Sequence, residues 1–308
     1  MDRKKVELSE YLPNGHKVVS AKKLPEPLCN VPFMAYLEMR TDKINYAIDY
    51  EGTNYFDNKI LYPPPEVARR FHSSTKRCKL MVGGIRGTKT FSDVNEMLEI
   101  AAGIHPEWNA HHIIPVPNRG YYCTVDWPKI EEIFLPEVLL LAGAWADDKC
   151  VDRKNHIITW QNGGTMSFKS YQSDPKSFAA ATLSYGVVDE EPPKDKWDEL
   201  NSRVGQDYLR IFGGFLPEKY LSGDENYAYL LNIIENVPEH IDIFKTGIDE
   251  NPSLLREAVE DQKKQFHGID AEVRLYGALK SLVGRQRFDN DILRRWLLKS
   301  AEEYKEAV

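Results

Sequence analysis

No stretch of this 308-residue chain is apolar for long enough to cross a bilayer. The longest runs, such as Val138 to Ala146, fall far short of the roughly 20 residues a spanning helix needs. The start, Met1-Asp2-Arg3-Lys4-Lys5, passes into polar sequence, so no secretory signal is expected. Cysteine is scarce: Cys29, Cys78, Cys123 and Cys150 show no zinc-ligand spacing, and reduced, buried thiols are expected. His105, His111 and His112 likewise have no cysteine or carboxylate at ligand spacing, which predicts surface or loop histidines. A basic excess is missing too. Lys and Arg number 40 against 47 Asp and Glu, a net charge of −7, which excludes an autonomous nucleic-acid-coating module. It leaves open a protein that grips DNA through a local basic face, for which Arg285, Arg287, Arg294, Arg295 and Lys299 are candidates beside the plainer reading of a solvated helix face. Repeats and low-complexity segments are absent, and a composition 42% hydrophobic and 28% charged is that of a globular chain with ample core.

What is present is concentrated first between residues 81 and 90. Met81-Val82-Gly83-Gly84-Ile85-Arg86-Gly87-Thr88-Lys89-Thr90 is a glycine-rich loop closed by Lys-Thr. The apolar run Leu80 to Val82 precedes it, and Phe91, Val94, Met97, Leu98 and Ala101 follow at helical spacing. In a strand–loop–helix of this kind, backbone N–H groups converge on phosphate oxygens and the helix N-terminus adds a favourable dipole. Gly83, Gly84, Ile85, Arg86, Gly87, Thr88, Lys89 and Thr90 are therefore candidate nucleotide-binding residues. Lys89 would reach the terminal phosphates, and the Thr90 hydroxyl would ligate Mg²⁺. The glycine usual directly before the lysine is replaced by Thr88, whose Cβ narrows the backbone conformations available. A glycine turn that merely precedes Lys-Thr is the alternative.

Chemistry on a nucleotide also needs a metal carboxylate and a group that activates water. Val187-Val188-Asp189-Glu190-Glu191-Pro192-Pro193 supplies both after an apolar pair that reads as the end of a buried parallel strand. Asp189 would hold Mg²⁺ directly or through water, and Glu190 would polarise the attacking water. A solvated acidic loop is the competing reading. Phosphate loop first and carboxylates later favour nucleotide hydrolysis.

Several further runs carry a family resemblance. Asn162-Gly163-Gly164-Thr165-Met166-Ser167-Phe168-Lys169-Ser170-Tyr171, then Lys176-Ser177-Phe178, then Val188-Asp189-Glu190-Glu191-Pro192-Pro193, resemble the large terminase subunits of tailed bacteriophages, the ATPases that pump DNA into the procapsid. Phe71-His72-Ser73-Ser74, Asp249-Glu250-Asn251-Pro252 and Glu272-Val273-Arg274-Leu275-Tyr276-Gly277 are similar to the same family. The resemblance runs from about residue 65 to 285, in the family's order. It implies an α/β fold: a RecA-like P-loop NTPase core of the ASCE type, with a mainly parallel sheet flanked by helices and the catalytic glutamate on an added strand. It implies ATP and Mg²⁺ as cofactors, Lys89 and Thr90 on the phosphates and metal, Asp189 on the metal, and Glu190 as catalytic glutamate. Arg86 falls where many members place an arginine that senses or stabilises the γ-phosphate, a role that suits a fork-shaped, permanently charged group. Arg203 is a candidate for donation to a neighbouring subunit by position alone. Implied partners are double-stranded DNA, a portal protein, a small terminase subunit and further copies of the chain in a ring. The implied location is the host cytoplasm at the procapsid, without a membrane.

Departures from the family pattern are as specific as the matches. Ala68 stands about where members often carry an adenine-reading glutamine, and Phe215-Leu216-Pro217 lacks the hydroxyl of the family's coupling segment. No counterpart of the ribonuclease-H-like nuclease is found in these 308 residues, so a motor part alone is expected. The alternative is a terminase-derived module that binds nucleotide or assembles without turnover; a helicase is a third reading, against which the 162–171 hairpin argues.

Prolines and periodicity divide the chain into residues 1–62 as an N-terminal extension, 63–285 as the P-loop domain and 286–308 as a C-terminal helix or linker. A hairpin around Tyr46 to Tyr55 and a helix opening at Pro65 are predicted near the first boundary. Strands are predicted over 79–82, 121–125, 156–160, 165–169, 184–188 and 209–215, with 156–169 as a hairpin turning at Gln161-Asn162-Gly163-Gly164. Residues 130–144 read as helical or mixed, 197–204 as a helix and 228–234 as strand or helix. Another helix is predicted from Pro252 to Lys264 with Asn251 as its cap, and a last one over 288–304.

Overall fold

A strand buried on both faces reads as an unbroken apolar run, and the run before the glycine loop is such a strand. In the computed structural model, which describes residues 20–21, 46–47, 65–105, 112–146, 148–178, 182–203, 210–216, 224–251 and 254–277, it forms β1 over Cys78–Gly83, buried throughout. The other main strands are β2 (Arg119–Thr124), β3 (Val151–Asp152), β4 (Ile157–Thr159), β5 (Thr165–Ser170), β6 (Tyr185–Asp189), β7 (Arg210–Phe215) and β8 (Ile241–Thr246). Among the described residues they make one eight-stranded sheet in the order β8-β1-β7-β6-β2-β5-β4-β3. The six strands from β8 to β5 are parallel, and β4 and β3 extend the sheet antiparallel beyond the 162–164 turn. This is an α/β fold with a mixed, mostly parallel sheet flanked by helices.

Strand residues alternate between two apolar layers because side chains of a strand point to opposite faces. Met81, Val187 and Phe212 face a cluster built from α1 (Glu66–Ser73), α2 (Lys89–Ala102) and α3 (Leu135–Ala142). Leu80, Val82, Val188 and Ile211 face the opposite cluster, with Trp197 and Leu200 of α4 (Lys194–Arg203) and Leu230 of α5 (Ala228–Glu235). Fully burying one such side chain contributes roughly 1.5–3 kcal/mol. A π turn over Ile130–Phe134 leads into α3. The chain closes its described part with α6 (Arg256–Gln265) and α7 (Gly268–Tyr276). No helix among the described residues is long and apolar enough to cross a membrane.

Parallel order dictates where chemistry can happen. In such a sheet the strands' carboxyl ends share one edge, and ligands bind in the crevice outside it. The glycine loop follows β1 and Asp189 ends β6, while β7 lies between them. β7 is thus inserted between the strand before the glycine loop and the strand that ends in Asp189, and Glu190 directly follows β6.

Most predicted elements are present, and residues 228–234, read as strand or helix, form a helix. Others differ. β8, which the sequence pattern does not predict, is an edge strand paired to β1 over its whole length. α6 starts at Arg256, so Asn251 caps no helix and is used elsewhere. Finally, Tyr46–Ala47 pairs in parallel with Ser20–Ala21, whereas residues 48–55 of the predicted hairpin lie outside the described residues. The helix over 288–304 and the basic residues from Arg285 to Lys299 also lie outside them.

Candidate nucleotide and metal site

The glycine loop is held from below and from one side. Gly84 N–H donates to the Thr246 carbonyl at 3.1 Å, and Ile85 N–H donates to the Arg274 carbonyl at 2.6 Å. The Thr246 hydroxyl donates to the Gly87 carbonyl at 3.1 Å, and the Asn251 amide donates to the Arg86 carbonyl at 2.6 Å. Packing of α7 requires a bare backbone here: a Cβ on Gly84 would lie 2.1 Å from the Leu275 carbonyl oxygen. The N–H groups from Arg86 to Thr90 donate to no backbone carbonyl among the described residues, as expected of a helix N-terminus with its first donors open. Open donors, a helix dipole and a lysine are a set that fits an anionic phosphate.

Thr88 occupies the left-handed region at φ 62°, where glycine is favoured and a β-branched residue is strained. Its hydroxyl oxygen is buried without a hydrogen-bond partner. Arg86 is also left-handed, at φ 54°, and its exposed side chain makes no ion pair among the described residues. Lys89 folds back onto the loop, donating to the Gly83 and Gly84 carbonyls at 3.1 and 2.5 Å. Burial lowers its pKa, while Asp189, Glu190 and Asp93 pull it upward.

At the end of β6, Asp189 accepts from the Tyr122 hydroxyl at 2.9 Å and from the Thr90 hydroxyl. Burial, with the Glu190 charge adding to it, pushes its carboxyl up to about 7, against those two hydrogen bonds and Lys89. A hydroxyl and a buried carboxylate already touching form an oxygen donor pair of the kind Mg²⁺ takes. Glu190 sits at φ 67°, a left-handed residue that keeps its N–H on the Gly214 carbonyl at 3.1 Å while its side chain turns outward. Lys129 lies 3.5 Å from its carboxylate, and Glu190 remains 37% exposed. Glu191, the neighbouring acid, is buried, so Glu190 is the one with access to a water molecule. The Tyr171 hydroxyl touches the Asp189 and Glu190 carbonyls at 3.3 and 3.4 Å and steadies the turn.

The sequence-predicted site residues thus converge: 83–90 from the β1–α2 loop, Asp189 and Glu190 from the end of β6. Arg203 instead pairs with Glu199 of its own helix at 2.5 Å. Leu216 packs against Val273 in a small apolar cluster. Sequence reasoning missed Thr246, Asn251, Tyr122 and Asp93. Asn251 carried a signal, within the Asp249-Glu250-Asn251-Pro252 run, where the pattern suggests a helix cap instead of a loop clamp, and Asp93 a fainter one in sharing a helix face with Lys89.

His105 corrects an expectation. It is buried, with Nε2 3.2 Å from Glu96, because it closes a charged cluster behind the loop. His72 meets the other Glu96 oxygen at 2.5 Å, and the Lys79 ammonium contacts Glu96 while donating to the Phe71 carbonyl at 3.0 Å. His72, Glu96 and Glu99 present ligand atoms within 4.8 Å of one another, yet Lys79 already supplies the cation there. Burial alone would raise the Glu96 pKa; Lys79 and His105 hold it well below the usual carboxylate range.

No protein-family model and no curated protein matches the sequence. Solved structures do match by fold. The large terminase of a thermophilic bacteriophage superposes with a TM-score of 0.54 at 13% identity, over 70% of this chain and 53% of that one. Complexes of that terminase with ADP and with ATP-gamma-S each match with a TM-score of 0.51, at 14% and 13% identity, over 69% of this chain and 52% of theirs. The chain therefore spans about half the length of the terminase it matches. Over those residues, its fold is similar to that of the phage large terminases.

Proposed function

We propose that this protein is a Mg²⁺-dependent ATPase, the motor part of a DNA-packaging machine of the large-terminase kind. The observation that supports it most is the meeting of Lys89, Thr90, Asp189 and Glu190 at the carboxyl edge of the sheet, with Thr90 bonded to Asp189. Residues 63–285 are read as the motor, 1–62 as an N-terminal extension packed on it and 286–308 as a C-terminal helix or linker.

The roles follow from chemistry. Loop N–H groups from Arg86 to Thr90 take the phosphate oxygens, and Lys89 exchanges its two carbonyls for the terminal phosphates. Asp189 and Thr90 hold the divalent cation, which when bound offsets charge on the phosphates. Asp189 must lose its proton to do so, which its pKa of about 7 permits near neutrality. Glu190 accepts a hydrogen bond from the attacking water and orients it in line with the bond to be broken. Arg86, exposed and always charged, is read as the loop arginine that meets the γ-phosphate. In the packaging reading, copies form a ring around double-stranded DNA in the host cytoplasm, docked on a portal with a small subunit. Turnover in isolation is then weak, because a ring site is shared between neighbours.

A second reading, a module that holds nucleotide without turnover, is supported by strained Thr88 before the lysine. Steady-state ATP hydrolysis with Mg²⁺, beside Glu190→Gln and with and without duplex DNA, separates the two. The motor reading expects turnover that falls at least about a hundredfold in the variant. Tight nucleotide binding with no turnover in any condition would favour the module.

A further inference from the structure

Asp93 lies one helical turn after Lys89 on α2, so the two side chains share a face. It is fully buried, and neither of its carboxylate oxygens has a hydrogen-bond partner. Buried carboxylates without donors are rare in folded proteins, because removing the charge from water costs several kcal/mol. The Lys89 ammonium on the same face is engaged with the Gly83 and Gly84 carbonyls. A Cβ on Gly214 would fall 3.0 Å from Asp93 Oδ2 and 2.5 Å from Lys89 Cβ, so β7 lets α2 press close only because it has glycine there. Gly214 is in turn the register partner of Asp189 on β6. Asp93 and Asp189 therefore flank one glycine from the helix side and the strand side. Burial first, then the Asp189 charge, raises the pKa of Asp93 against Lys89 and Lys79, and burial with both carboxylates raises that of Tyr122.

We infer that Asp93 is a second carboxylate of the cation site, so that a divalent cation is held between Asp93 and Asp189 before nucleotide arrives. The inference rests on the nucleotide-site reading for Asp189 and extends it. The donors are hard oxygens throughout: two carboxylates and the hydroxyl of Thr90, a set suited to Mg²⁺ or Mn²⁺ and not to a soft metal. In the ordinary phosphate-loop arrangement the metal is held by one hydroxyl, one carboxylate and the phosphates, so it has little affinity for the protein alone. A second buried carboxylate changes that order of binding. It also gives the Asp93 oxygens a direct ligand, where Lys89 and Lys79 act on them only through space.

The test is a titration of the full chain with Mn²⁺ at about pH 8 without nucleotide, followed by the electron-paramagnetic signal of the free ion. The wild type is expected to bind one Mn²⁺ at submillimolar concentration, and Asp93→Asn and Asp189→Asn each to weaken it at least about tenfold. Asp93→Ser serves as a second variant should the asparagine disturb packing, and the wild-type titration depends on neither. Free Mn²⁺ that tracks the total up to millimolar in the wild type would overturn the inference, as would equal affinity in a folded Asp93 variant; Asp93 then keeps a proton instead. A parallel titration with a fluorescent ATP analogue in EDTA separates the two readings. Nucleotide bound without any Mn²⁺ site sinks this inference alone, whereas neither ligand bound sinks the nucleotide site as well.

Discussion

Two residues at the site carry costs that can be measured. Thr88 holds a left-handed backbone at φ 62°, which costs a non-glycine residue on the order of 1–3 kcal/mol. Glycine removes that strain but loses about 0.5–1 kcal/mol more to chain entropy. Thr88→Gly should therefore gain about 1 kcal/mol in denaturant unfolding and bind ATP analogues more tightly. Lower stability together with weaker binding would mean that the threonine is adapted to this loop. Asp189 gives a pH signature. Its folded pKa of about 7 lies above the unfolded value of about 3.9, so between those values the unfolded chain ionises while the folded one keeps its proton. Fewer protons bound in the unfolded state mean that stability falls as pH rises across this window. Asp189→Asn, which cannot ionise, should be more stable than wild type at about pH 8 by about 4 kcal/mol at most, with the difference fading toward about pH 4. Thermal unfolding of the two proteins across that range, without metal or nucleotide, reads the effect directly. A difference of constant size at every pH would remove Asp189's burial as its cause.

At the scale of elements, the glycine loop is fastened by parts distant in sequence: β8 through Thr246, the β8–α6 connection through Asn251, and the end of α7 through Arg274. Removing the Asn251 amide loses one hydrogen bond to the Arg86 carbonyl, worth about 1 kcal/mol. Asn251→Ala should weaken ATP-analogue binding by up to about fivefold and lower the unfolding midpoint by about 2–4 °C, which a paired titration and melt would show. A large drop in the melt instead would make Asn251 a fold residue. Beneath the loop, Glu96 joins α2 to His72 of α1, Lys79 of β1 and His105. Breaking such a buried pair by changing one partner costs about 3–5 kcal/mol, so Glu96→Gln should unfold the protein many degrees earlier. These same elements show what the sequence made legible. β1, β6 and β7 were readable because central parallel strands are apolar runs, and the site residues because phosphate chemistry forces Gly, Lys, Thr and Asp-Glu into short spacings. β8 was not, since Ile241-Asp242-Ile243-Phe244-Lys245-Thr246 is an edge strand of mixed polarity whose partner, β1, lies far away along the chain. Asp93 and His105 escaped because burial of a polar group is a tertiary fact. The one available sign was Lys89, Asp93 and Glu96 falling on one face of a helix that otherwise reads apolar.

For the molecule as a whole, nucleotide binding and folding should be one equilibrium. The loop lies between β1 and α2, and three other elements grip it, so a ligand seated there bonds to the native arrangement and to nothing in the unfolded chain. A ligand that binds only the folded state stabilises it by RT ln(1 + [L]/Kd), about 2.7 kcal/mol at a concentration about one hundred times Kd. Each kcal/mol moves the midpoint of a domain of about 150–250 residues by about 2–4 °C, so Mg²⁺ with a slowly hydrolysed ATP analogue should raise the melting temperature by several degrees. Lys89→Ala should abolish that rise, read against the variant's own unliganded melt, because in the unliganded fold Lys89 bonds the Gly83 and Gly84 carbonyls and also attracts Asp189, Glu190 and Asp93. Glu190→Gln should keep the full rise, since its proposed part is played on water and not on the phosphates. The three melts together place the loop and the glutamate in different steps. A wild-type shift that survives Lys89→Ala would move nucleotide binding away from the β1–α2 loop, and no shift at saturating analogue would leave the carboxyl edge of this sheet without a nucleotide to act on.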